Sequence, residues 1–81
     1  MRTERFVNSN GHAVSICQPS SGLVHVWIDD GNRYYHGTAG YDFSKRCRLV
    51  ISFGEFYSTD DMMRERIKNF VDTATNPAFI G

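Results

Sequence analysis

Three turn sequences punctuate the first half of this chain, and they divide it into strands of four to seven residues. They are Asn8-Ser9-Asn10-Gly11, Pro19-Ser20-Ser21-Gly22 and Asp29-Asp30-Gly31-Asn32. Asn-Gly and Asp-Gly supply the positive φ that a tight hairpin needs. The residues between them alternate in polarity with a period of two, as half-buried strands do. Strands are therefore expected over about 4–7, 12–18, 23–29 and 33–37. A fifth, over 46–53, alternates Cys47, Leu49, Ile51 and Phe53 with Arg46, Arg48, Val50 and Ser52. Thr38 to Asp42 reads as a loop between the last two strands.

The third strand carries Val24, Val26 and Ile28 on one face and Leu23, His25 and Trp27 on the other. A strand apolar on both sides is expected at the centre of a sheet and covered, in part, on both faces.

The period then changes to that of a helix. Met63, Ile67, Phe70, Val71 and Ala74 recur at three- and four-residue spacing, which places them on one stripe. Ser58 or Thr59 is the expected start, with Asp61 completing a weak capping box. Asp60 and Arg64 form an i,i+4 pair of favourable orientation. Asn76-Pro77 ends a helix over about 59–75, because proline cannot continue it. The tail 77–81 is apolar and is expected to tuck back onto the fold. The reading is an α+β domain: a five-stranded antiparallel meander packed against one C-terminal helix, 1–81 as a single domain.

Length bounds the function. A chain of 81 residues buries only about 60% of its unfolded surface. It has little room for both a core and a deep substrate cleft, so a non-enzymatic role is expected. Nine basic and nine acidic side chains cancel. Nucleic-acid binders carry a positive excess, since phosphate contacts dominate their affinity. Cys17 and Cys47 lie within apolar strand patterns and read as buried thiols rather than a disulfide framework. No run approaches the roughly 20 apolar residues of a membrane span, and a cytoplasmic location is the default expectation.

Chemical motifs are missing from the sequence. His12, His25, His36, Cys17 and Cys47 lack the short paired spacing of structural zinc sites, so no metal or cofactor is expected. Asp29-Asp30 and Asp60-Asp61 have structural explanations at a turn and a helix start. Gly37-Thr38-Ala39-Gly40 lacks the Lys-Ser/Thr of a phosphate loop. No catalytic residue is assigned.

What stands out is the aromatic share, 14%. That exceeds what a small core needs, so some rings are expected at the surface. Trp27, Arg33, Tyr34, Tyr35, His36 and Tyr41 form the candidate partner-binding patch, with Trp27 or His25 beside Tyr35 or Arg33 on one face. Rings and arginine dominate the energetic centres of interfaces. The structural alternative is that the rings are cross-strand pairs that stabilise the sheet. Lys45, Arg46 and Arg48 form a basic cluster, read either as a second patch or as a solvated strand edge. These features favour a protein-interaction module that binds and blocks, or assembles with, a larger protein partner, or that forms a homodimer. Compact chains of this size are common among phage and mobile-element inhibitors, an analogy of size and style only. The alternative is a small nucleic-acid-binding domain that stacks bases on Trp27, Tyr34 and Tyr35.

Overall fold

A computed structural model describes residues 2–20, 22–42, 44 and 48–73. Lys45, Arg46, Cys47 and the tail 77–81 lie outside the described residues. The chain runs β1 (Arg2–Val7), β2 (Ala13–Gln18), β3 (Val24–Asp29), β4 (Tyr34–Asp42), β5 (Arg48–Phe53) and α1 (Asp61–Asp72). The strands form one antiparallel sheet in sequence order, β1-β2-β3-β4-β5, so the expected meander and helix are what the structure shows.

Thr38 to Asp42 is not a loop. It continues β4, which pairs with β3 through Thr38 and Ala39 and with β5 from Gly37 to Asp42. The segment is rich in small residues, which hides its strand character. Those small residues have a packing role, since Gly37 and Ala39 lie on the helix side of the sheet and are fully covered. A β-carbon on Gly37 would sit 2.6 Å from the Phe53 ring and 2.7 Å from the Ser52 carbonyl oxygen. Arg33 belongs to the turn, not to the strand, because Asp30 Oδ1 accepts from the Asn32 and Arg33 amides and holds residues 30–33 in place.

The strand alternation sends Val14, Ile16, Val24, Val26, Ile28 and Ala39 to the helix side. There they meet Met63, Ile67, Phe70 and Val71, the buried stripe of α1. Both ends of the helix are tied down. Its N-cap is Asp60, not Ser58 or Thr59. Asp60 Oδ1 accepts from the Met63 amide at 2.7 Å, and Oδ2 accepts from the Ser9 amide at 3.0 Å. The cap therefore also joins the helix to the β1–β2 turn, a tertiary link with no local signal. Both carboxylate oxygens serve backbone donors, rather than the expected pairing with Arg64. At the other end Arg2 Nη2 donates to the Phe70 carbonyl oxygen at 2.8 Å, with its guanidinium 4.0 Å from the Phe70 ring centre.

α1 covers one face only. β3 is central, as expected, and its second face is covered only in part: the side of the sheet that carries Trp27 has no described layer over it, and Trp27 keeps 43% of its surface exposed while His25 is half-buried.

Candidate interaction surface

Strand register lays out the open face in rows. Val7, Ala13, Asp29 and Tyr34 lie side by side across β1 to β4. The next row is Arg5, Ser15, Trp27 and His36. The third is Thr3, Cys17, His25, Thr38 and Ser52. Small side chains therefore surround the rings and leave them standing above the sheet. Cys17 belongs to this face and is half-exposed, so it is not the deeply buried thiol expected from its apolar neighbours.

Trp27 and His36 are cross-strand partners, and their rings stack at 4.1 Å between centroids with 23° between planes. His36 also meets His25. Nδ1 of His25 lies 3.0 Å from Nε2 of His36, with the planes 10° apart and the centroids 5.2 Å apart. Nearly parallel planes with wide centroids and close nitrogens mean that the rings meet edge to edge. The contact is an N–H···N hydrogen bond, in which one ring donates and the other accepts through a neutral nitrogen. Trp27, His36 and His25 thus form one rigid aromatic ridge across β3 and β4. Tyr34 stands at its corner, 72% exposed.

The expected patch divides between two faces. Trp27, Tyr34 and His36 are on the open side, but Tyr35 is directly opposite Ile28 on the helix side. Adjacent residues of a strand point to opposite faces, so Tyr34-Tyr35 cannot act together. Arg33 follows Tyr35, with its guanidinium 5.0 Å from that ring and an ion pair to Glu55. Tyr35 packs against Tyr57 at 5.0 Å, and Phe53 does so at 5.6 Å. These rings close one end of the core. Tyr41 is also on the helix side, where its hydroxyl donates to Asp72. That bond and partial burial raise the Tyr41 pKa. Lys68 and then Tyr41 hold the Asp72 carboxyl below its ordinary value. Of the basic cluster, Arg48 is exposed on the open face opposite Asp42.

Sequence reasoning missed Asn8, which reads as a turn residue and is 95% buried in effect, with only 5% of its surface exposed. Its Oδ1 accepts from the Asn10 and His12 amides, each at 3.0 Å. Its Nδ2 donates to Tyr57 Oη at 2.6 Å, which in turn lies 2.7 Å from His12 Nδ1.

Comparison with protein-family models, curated proteins and solved structures gave no match.

Among the described residues, charge on the open face is balanced. Arg5 and Arg48 stand against Asp29 and Asp42. Among the described residues, no three His, Cys, Asp or Glu side chains form a group that could hold a metal ion, and no helix is long and apolar enough to cross a membrane.

Proposed function

We propose that this chain is a small protein-binding module whose contact surface is the open face of its sheet. It acts by occupying a surface of a larger partner. The observation that carries this reading is the Trp27–His36–His25 ridge, fixed by stacking and hydrogen bonding and set among small side chains. A preformed ridge loses little conformational freedom on binding, and tryptophan is among the residues most often found at interface centres. Balanced charge among the described residues of that face, and zero net charge over the whole chain, favour a protein over a nucleic acid, whose affinity needs a positive excess.

The test is a Trp27→Ala, His36→Ala double variant. Both side chains are exposed, so stability is expected to fall by at most about 1–2 kcal/mol. Partner capture from the source cell's lysate is expected to disappear. A folded variant that still captures the same protein places the contact surface elsewhere. Loss of steeply salt-dependent binding to a labelled single strand would instead favour the nucleic-acid reading.

A further inference from the structure

The two edges of the sheet differ in chemistry. β1, one edge, carries Arg2, Glu4 and Arg5. Arg2 and Glu4 are folded onto the helix, through the Phe70 carbonyl and Arg66. Charges on an edge strand discourage pairing with another chain. β5, the other edge, has the uncharged run Leu49-Val50-Ile51 at its centre. Alongside it lies a groove of about 760 Å³ between β5 and α1, with Leu49 and Ile51 lining it and Asp61, Arg64, Glu65 and Lys68 along the helix wall.

Hydrogen-bond phase fixes which β5 groups face outward. The Gly54 amide donates to the His36 carbonyl, and residues 52, 50 and 48 follow the same phase toward β4. The amides and carbonyls of Leu49 and Ile51 therefore point away from the sheet, and no described strand pairs with them.

We infer that β5 pairs antiparallel with β5 of a second copy, about a two-fold axis at Val50, to make a continuous sheet. Leu49 of each copy then exchanges both backbone hydrogen bonds with Ile51 of the other, which uses the outward groups of both residues. Val50 faces Val50 on the open side, where it sits beside Gly40. The axis is perpendicular to the sheet, so both helices stay on one side and run in opposite directions. Read along α1, the groove wall is acidic, basic, acidic, basic at Asp61, Arg64, Glu65 and Lys68. Reversed, that order presents a charge of the opposite sign to each one: Asp61 faces the second copy's Lys68, and Arg64 faces its Glu65. This self-complementarity is what favours a second copy over an unrelated strand. The contact lies at the sheet edge and leaves the Trp27 ridge exposed.

Sedimentation equilibrium with Val50→Lys, Val50→Glu and their mixture tests the inference. Wild-type protein is expected to dimerise at tens of micromolar, the range of a small interface. Each variant alone sets like charges against each other at the axis and should raise the dissociation constant at least about 10-fold. An equimolar mixture sets lysine against glutamate and should restore the dimer. Circular dichroism and melting confirm that each variant is folded. A Trp27→Ala variant should dimerise like wild type, which separates this edge from the open-face contact. Wild-type protein that remains monomeric at about 100 μM overturns the inference and leaves the edge to this chain's own residues or to an unrelated strand. Dimers that survive either single variant, or a mixture that stays monomeric, overturn it too.

Discussion

Asn8 and Tyr57, forty-nine residues apart in sequence, share a 2.6 Å hydrogen bond in which the Asn8 amide donates to the tyrosine hydroxyl. The hydroxyl also meets His12 Nδ1 at 2.7 Å. The Tyr57 hydroxyl thus takes the Asn8 amide proton and at the same time shares a hydrogen bond with the His12 ring, whose tautomer sets the direction of that second bond. This chain of bonds closes the β1–β2 turn against the segment that leads into α1.

Tyr57→Phe removes the hydroxyl and leaves the buried Asn8 amide without that acceptor. An unsatisfied buried polar group costs about 1–3 kcal/mol, more than the net worth of one hydrogen bond. Urea denaturation should show a lower midpoint with an unchanged slope. A change of less than about 0.5 kcal/mol would mean that water replaces the hydroxyl without loss.

Gly37 is closely covered on the helix side of the sheet. Its lack of a side chain accommodates the Phe53 ring and the Ser52 carbonyl, and backbone φ has no part in it. Gly37→Ala should destabilise by about 1–3 kcal/mol through overpacking. A second variant, Gly37→Ala with Phe53→Leu, should recover part of that loss if the ring is the obstacle. Calorimetric melting of the two variants checks both expectations.

Acid should unfold the protein through three carboxylates. The amides of Asn32 and Arg33 hold Asp30 low, the Met63 and Ser9 amides hold Asp60 low, and Lys68 with Tyr41 holds Asp72 low. Each folded-state pKa lies below the unfolded one. The stabilisation is therefore fully present above the ordinary carboxylate value of about 3.9, and it is lost as pH falls through the lower folded values. Stability from these three groups should fall below about pH 4. Asp60→Asn should flatten that fall, because it removes the proton uptake at the helix cap. An acid limb of unchanged slope in this variant would show that Asp60 contributes nothing to it.

Much of the fold was legible because it rests on local signals. Alternation in Val14/Ile16 and Val24/Val26/Ile28 and the helical spacing of Met63, Ile67, Phe70 and Val71 name the two halves of the core. Gly11 and Gly31 adopt the positive φ that the turn sequences require. What the sequence hid is tertiary. In Thr38 to Asp42, Ala39, Gly40 and Asp42 have little strand propensity, and the segment is drawn into β4 by its neighbours on both sides. Asp60 wins the cap because it also reaches Ser9. The candidate surface was half legible. The excess of rings was visible, but their partition required the register, which sets Trp27 against His36 and Tyr35 against Ile28.

Trp27 is the chain's one tryptophan, so its fluorescence reports on the ridge alone. His36 covers part of one ring face at 4.1 Å, and His25 holds His36 in place through the N–H···N bond. His36→Ala should expose more of the indole, shift its emission to the red and raise its quenching by acrylamide. His25→Ala should do the same to a smaller degree, since it removes the support and leaves the stack. Tyr35→Phe, on the other face, should leave the emission unchanged. The order of effects distinguishes a supported ridge from three independent side chains. Equal quenching in wild type and His36→Ala would mean that the stack does not persist in solution. The proposed contact surface would then lose the rigidity on which it rests, because a mobile indole has to be ordered on binding at a cost of about 0.5–1.5 kcal/mol.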